Sequence, residues 1–125
     1  MENAMITIAH RHLAEITLLD LEGRMIGDAS NQFLAVASTT IVEGGTRKMV
    51  LNLQHLDQCD SMGISALLRI HTSLKNMDGA LILCQLNDLV TKVFALTHID
   101  EVMHIVATEE DALEELGVTS VIHGA

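Results

Sequence analysis

The fold is decided by residues 49–74, which read MVLNLQHLDQCDSMGISALLRIHTSL. The run from Met49 to Leu53 is apolar without strict alternation, which is typical of a strand covered on both faces in a parallel sheet. From Ile64 onward, apolar residues recur at helical spacing. The sequence therefore predicts a buried strand, a junction at Asp60-Ser61-Met62-Gly63, and a helix from about Ser61 to Asn76.

The hydroxyl group of Ser61 has two interpretations at this junction. Asp60 or Ser61 is suited to cap the helix, because a side-chain oxygen accepts hydrogen bonds from the free backbone N–H groups of a first turn. Gly63 would let another backbone come close to that turn. Alternatively, Ser61 is a hydroxyl that a partner modifies. A phosphate there would face the positive end of the helix dipole, and it would add roughly −1.5 to −2 charges beside Asp60.

The residues before this stretch predict a hairpin and a helix. Residues 5–10 and 15–22 have strand patterns and are close enough to pair antiparallel, with His10-Arg11-His12 as a polar turn between them. Asp28, Ser30 or Asn31 is expected to cap a helix that ends at Glu43-Gly44-Gly45.

The residues after the stretch continue the alternation of strands and helices. Residues 80–86 form an apolar strand, Asn87 or Asp88 caps a third helix, and residues 102–106 form a last strand. Thr108 has the form of a helix cap, and the outer face of the helix that it opens is expected to carry Glu109, Glu110, Glu114 and Glu115.

The predicted fold is a single α/β domain over residues 1–125, with residues 118–125 as a loosely packed tail. After the initial hairpin, the alternation implies a mostly parallel sheet of four to five strands and about four helices, joined by right-handed crossovers. The pattern leaves open whether the helices cover one face of the sheet or both.

Composition limits the classes of function. The chain has 125 residues, 49% of them hydrophobic, but only 2% aromatic, so the core is expected to be aliphatic. The formal net charge of −10 argues against nucleic-acid binding, which needs clustered Lys and Arg. No apolar run reaches the ~18 residues of a membrane span, and no signal peptide is evident. We therefore expect a cytoplasmic protein without membrane insertion.

The sequence lacks the patterns that are typical of catalysis and of cofactor or metal binding. The sequence has no Gly-x-Ser-x-Gly elbow, phosphate-binding loop or zinc-like spacing of His and Cys. His10-x-His12 could place two imidazoles on one face of a strand, although a solvated turn is the favoured interpretation. Cys59 beside the junction lacks a feature that would lower the pKa of its thiol. We expect a protein that is not an enzyme and that holds no cofactor or metal.

The junction and its flanks resemble the STAS domain of bacterial anti-sigma factor antagonists. In that family an Asp-Ser-x-Gly turn starts a helix, and its Ser is the phospho-acceptor; Asp60, Ser61 and Gly63 match it. Further matching stretches are Gly23-Arg24-Met25-Ile26, Val93-Phe94-Ala95-Leu96-Thr97 and Ala112-Leu113. The resemblance implies a GHKL-type serine kinase, also an anti-sigma factor, that binds the unphosphorylated protein and releases its sigma factor. It also implies a PP2C-like phosphatase that removes the phosphate.

Residues 60–63 and Asp28 are the partner-binding positions that we expect from this resemblance. The sequence departs from the family pattern at three places. Met62 stands where many members have a second Ser or Thr, Ile26 stands where many have an acidic kinase contact, with Asp28 two residues on, and Asn52 replaces an Asp. The alternative hypothesis is a STAS interaction subunit of a stressosome-like or transporter complex, in which Ser61 is only a cap; a small enzyme with Ser61 as nucleophile is weaker still.

Overall fold

The computed structural model describes residues 5–118 of the chain. These residues form a five-stranded sheet with three helices on one face and a fourth on the other. In chain order the elements are β1 (Ile6–Leu13), β2 (Ile16–Met25), α1 (Asp28–Val42), β3 (Lys48–Cys59), α2 (Ser61–Lys75), β4 (Ala80–Cys84), α3 (Asp88–Leu96), a 3₁₀ turn (Ile99–Glu101), β5 (His104–Val106) and α4 (Glu109–Glu115). The predicted mixed α/β fold is confirmed.

The strand order explains where the helices lie. The order is β1-β2-β3-β4-β5, with β1 antiparallel to β2 and the other neighbours parallel. Each crossover advances in the same direction along the sheet, so right-handed connections place their helices on one face. Helices α1, α2 and α3 bury their apolar residues there, and α4 packs on the opposite face.

Alternate residues of β3 divide the core into two clusters. Met49, Leu51 and Leu53 face the large cluster beneath α1, α2 and α3. Val50 faces the smaller cluster, which includes Leu113 of α4. All four β3 residues are fully buried, so the unalternating apolar run reflects a strand covered on both faces.

The predicted turn at His10-Arg11-His12 is wrong. These residues belong to β1, opposite Leu19, Leu18 and Thr17 of β2. The chain turns instead through Ala14 and Glu15, where Ala14 has a φ of 54°. As β1 is an edge strand of the sheet, its polar side chains remain exposed to solvent and do not show the alternation expected of a half-buried strand.

Strands β2 and β3 extend further than their patterns predicted. Both strands reach past Glu22 and Leu53, respectively, and pair as far as Met25 with Cys59. The register shifts between Asp20 and Glu22 and again between Gly23 and Arg24. These irregularities disrupt the period of two on which strand prediction depends.

The predicted side-chain cap of α1 is also wrong. The helix begins at Asp28 after Gly27, whose φ of 52° suits glycine, and no side chain caps it. Ser30 lies inside the helix, and its buried hydroxyl has no hydrogen-bond partner among the described residues. By contrast, Asn87 and Thr108 cap α3 and α4 as predicted, accepting from the backbone N–H groups of Val90 and Asp111.

The chain is described only as far as Val118, whose backbone N–H donates to the carbonyl of Leu113 at 2.9 Å. The rest of the predicted tail, residues 119–125, lies outside the described residues. Within residues 5–118, every helix is too short or too polar to cross a bilayer.

Candidate functional site at the start of α2

The junction between β3 and α2 is capped by Asp60 rather than by Ser61. Asp60 has extended backbone angles, and its Oδ1 accepts a hydrogen bond from the backbone N–H of Gly63 at 3.0 Å. Ser61 is the first helical residue. Because Asp60 supplies the side-chain cap, the hydroxyl of Ser61 is not needed to cap the helix.

The second oxygen of Asp60 connects the starts of two helices. Its Oδ2 accepts from the backbone N–H of Gly27, immediately before α1, at 3.1 Å. The backbone N–H of Asp60 donates to the carbonyl of Met25 at 3.3 Å. These bonds join segments 33 residues apart, so Asp28 at the start of α1 and Ser61 at the start of α2 lie on the same edge of the sheet.

Ser61 and Met62 are exposed on this edge. Met62 leaves 45% of its surface open to solvent, so an apolar side chain is available for contact directly beside Ser61. Ser61 is likewise exposed, and the hydrogen bonds found among residues 5–118 include none to its side chain. The residue is therefore accessible to another protein without any rearrangement of the fold.

Gly63 is buried where α2 meets β2. A Cβ atom at this position would lie 2.5 Å from the carbonyl oxygen of Met25 and 2.8 Å from the Sγ of Cys59. Such distances are shorter than van der Waals contact, so the close approach requires glycine here. Gly63 thus acts in packing, and it holds the turn against β2.

Cys59 lies on the buried side of the junction. Its side chain is only 8% exposed, and burial, with the charge of Asp60 as a smaller cause, raises the pKa of the thiol to about 12. Because thiolate is the reactive form of cysteine, burial and the raised pKa both disfavour reaction of this thiol.

An apolar groove lies beside the junction and was not predicted from the sequence. We call it the α3 groove; it has a volume of about 410 Å³ and is lined by Ile26, Gln58, Cys59, Asp60, Leu89, Val90 and Val93. The only signal in the sequence was that α3 has more apolar residues than one buried helix face can hold.

A model of the STAS domain family matches residues 7–112 of this chain. The chain belongs to the STAS domain family. Its junction, with Asp60, Ser61 and Gly63 between β3 and α2, lies within the matched residues. The resemblance inferred from the sequence is confirmed.

Several relatives of this STAS domain bear names from sigma-factor regulation. The chain is 27% identical over 88 residues to BtrV of Bordetella bronchiseptica, provisionally named an anti-sigma factor antagonist; the match covers 70% of this chain and 76% of BtrV. Its structure is similar to that of the Bacillus cell fate determinant SpoIIAA in the phosphorylated form, with a TM-score of 0.68, 26% identity, and coverage of 88% and 99% of the two chains. SpoIIAA, an anti-sigma factor antagonist, also matches in its unphosphorylated form, with a TM-score of 0.69, 25% identity and coverage of 90% and 100%.

A charged network on the opposite face of the sheet was also missed. The guanidinium of Arg11 on β1 donates to both carboxylate oxygens of Asp20, at 2.7 and 2.8 Å, and to both of Glu109. Asn52 of β3 donates to Glu109 at 3.1 Å. Glu109 was expected on the outer face of α4, but it reaches back over the sheet and ties α4 to β1, 98 residues away in sequence.

This network shifts the pKa values of its members. Hydrogen bonds from Arg11, and a smaller one from Asn52, lower the pKa of Glu109 below its usual range. Hydrogen bonds to Glu109 and Asp20 raise the pKa of Arg11 further above neutrality. Arg11 and Glu109 are therefore both charged at pH 7, and the network acts as a structural tie between β1 and α4.

In the described part of the chain, no group of His, Cys, Asp and Glu side chains is arranged to hold a metal ion. His10 and His12 share one face of β1, but each lies near a threonine hydroxyl instead: His10 at 3.5 Å from Thr40 and His12 at 3.4 Å from Thr17. The junction thus remains the place where the predicted site residues meet.

Proposed function

We propose that this STAS domain is an anti-sigma factor antagonist whose binding to a GHKL-type serine kinase is switched by phosphorylation of Ser61. The observation that carries the proposal is the position of Ser61: exposed at the first residue of α2, with the capping role taken by Asp60. The protein acts by binding, and the kinase performs the chemistry.

The local electrostatics support a switch that leaves the fold intact. A phosphate on Ser61 would lie at the positive end of the α2 dipole, where negative charge is stabilising by about 0.3–1 kcal/mol. It would also add roughly −1.5 to −2 charges next to the carboxylate of Asp60. The helix tolerates this charge, whereas a partner surface packed against it has to desolvate or repel it.

The expected partner-binding positions fit one contact surface. Met62 offers exposed apolar area next to Ser61, and Asp28 offers an exposed carboxylate at the start of α1. The bond from Gly27 to Asp60 fixes the two helix starts relative to each other. We propose that Asp28 takes the place of the acidic kinase contact that Ile26 lacks, and that Gly63 contributes by letting the turn lie close to β2.

The comparisons support the same mechanism. SpoIIAA has been solved in phosphorylated and unphosphorylated forms, so a relative of this fold carries the modification. In the proposed cycle, the kinase binds the unphosphorylated protein and releases its sigma factor, then phosphorylates Ser61 and dissociates. A PP2C-like phosphatase restores the binding form.

The test is phosphorylation by purified GHKL-type kinases from the same genome, with ATP and with mass spectrometry to locate the phosphate. We expect one phosphate on wild-type protein and none on Ser61→Ala. Ser65→Ala is the matched control, since Ser65 is exposed one turn further along the same helix, and it should be phosphorylated like wild type. Phosphate at another residue, or none with any of these kinases, would refute the proposal.

A binding measurement tests the electrostatic step separately. Ser61→Asp should fold like wild type and bind the kinase at least about tenfold more weakly, a change of about 1.4 kcal/mol. Equal affinity of Ser61→Asp and wild type would show that charge at this position does not control binding.

A further inference from the structure

The α3 groove holds more exposed aliphatic surface than the fold requires. Leu89 is 51% exposed although it sits on a helix whose Val90 and Phe94 already supply the buried contacts. Single exposed apolar residues are common on protein surfaces, but here Ile26, Leu89 and Val93 line one depression. Concave apolar surface of this kind marks binding sites more often than isolated residues do.

The groove is continuous with the proposed Ser61 contact surface. Gln58, Cys59 and Asp60 form part of its lining, and Asp60 directly precedes Ser61. Any protein that covers Ser61 closely enough to detect a phosphate is therefore adjacent to the groove. The two features form one surface, with a charge-sensitive part and an apolar part.

The groove is also preformed. The side chain of Asn87 donates to the carbonyl oxygens of Leu56 and Gln54 on β3, at 2.7 and 3.2 Å, and accepts from the N–H of Val90 at 2.9 Å. These bonds fix the start of α3 against the strand that leads to Ser61. A partner does not have to order this wall, which reduces the entropic cost of binding.

Charge indicates what kind of segment fits. Asp60 lies in the lining, Asp57 is exposed three residues earlier on β3, and Asp88 is the exposed first residue of α3. Lys92 is the one basic residue of α3, and the whole chain carries a net charge of −10. An apolar groove with a carboxylate in its lining, on a chain of net charge −10, favours aliphatic side chains beside Lys or Arg.

We propose that the α3 groove is a docking site for a helix of the partner kinase that presents aliphatic side chains beside basic residues. The proposal rests on the proposed function, because it assigns the groove to the protein that binds at Ser61. In this proposal, the groove contributes affinity for the partner, and phosphorylation of Ser61 weakens the binding.

The first experiment measures kinase affinity by calorimetry, with the kinase that phosphorylates Ser61. Leu89→Glu should weaken binding at least about tenfold, since it places a charge in a buried apolar contact. Leu96→Glu is the matched control: Leu96 is 75% exposed on the same helix but does not line the groove, so its affinity should stay within about twofold of wild type. Wild-type affinity for Leu89→Glu, or equal weakening by both changes, would overturn the proposal.

A second experiment does not depend on the kinase. The probe is a short helical peptide with leucines on one face flanked by lysines, compared with the same peptide carrying glutamates in place of the lysines. Amide NMR shifts should move at Ile26, Leu89 and Val93 with the lysine peptide, and Leu89→Glu should abolish them. Shifts of equal size with the glutamate peptide, or no shifts with either peptide, would overturn the groove proposal. Absence of phosphate on Ser61 in the kinase experiment bears only on the proposed function.

Discussion

In the Gly63→Ala variant, helix propensity and packing at the junction change the stability of the protein in opposite directions. In an exposed helix interior, replacing glycine by alanine stabilises by up to about 1 kcal/mol, because alanine loses less backbone entropy. Gly63 is buried against β2, and the new methyl group would lie 2.5 Å from the carbonyl oxygen of Met25 and 2.8 Å from the Sγ of Cys59. The two effects oppose each other, so the sign of the change tests the geometry.

The structure indicates that the packing penalty exceeds the gain in helix propensity. The carbonyl of Met25 belongs to a fully buried residue of β2 and already accepts from the N–H of Asp60, so it cannot move without disturbing the capped turn. The Sγ of Cys59, the second close neighbour, is also buried. Overpacking of this kind costs about 1–3 kcal/mol. We therefore expect a net loss of up to about 2 kcal/mol after subtracting the propensity gain.

Urea denaturation measures this loss directly. Gly63→Ala should lower the midpoint of unfolding with an unchanged slope, because the buried area of the native state stays nearly the same. Ser65→Ala, on the exposed side of α2, serves as the control and should be neutral or slightly stabilising. A Gly63→Ala protein more stable than wild type would refute the close approach at this turn.

Two further predictions concern carboxylates. Asp60→Ala should destabilise the protein by about 0.5–2 kcal/mol through loss of the α2 cap, and Asp60→Asn, which keeps one accepting oxygen, should lose less in the same urea experiment; equal losses would argue against the capping bond to Gly63. For Glu109, the pKa is lowered in the folded state by Arg11, so its contribution is present above about pH 4.5 and is lost as the pH falls below that. Wild type should therefore lose more stability than Glu109→Gln as the pH falls from about 5 to about 3, by up to about 1 kcal/mol for so exposed a pair, and parallel pH profiles of the two proteins would contradict this role.

The sequence was most informative where local chemistry decides the structure. The strand, the cap and the glycine at the β3–α2 junction lie within a few residues of one another, so their pattern predicted the turn and left Asp60 and Ser61 as alternative caps. The structure chooses Asp60. The same local logic succeeded at Asn87 and Thr108, each of which caps the helix that follows it.

Prediction failed where distant residues or irregular backbone decide the structure. The tie from Arg11 to Glu109 spans 98 positions, and nothing in either segment indicates the other. The α3 groove arises only when Ile26 and α3 meet beside β3. The turn at Ala14 and Glu15 was hidden because the edge strand β1 carries polar residues on both faces, and the register shifts in β2 concealed its true length.

The division of roles between Asp60 and Ser61 bears on how a phosphate would act. If Ser61 were the cap, modification would alter the bond that starts the helix, and loss of binding could reflect local unfolding. Asp60 instead accepts from Gly63 with one oxygen and from Gly27 with the other, so both helix starts are held without the serine hydroxyl. A charge on Ser61 therefore changes the surface that a partner meets while the scaffold beneath it stays in place, which is why Ser61→Asp should lose affinity and keep its fold.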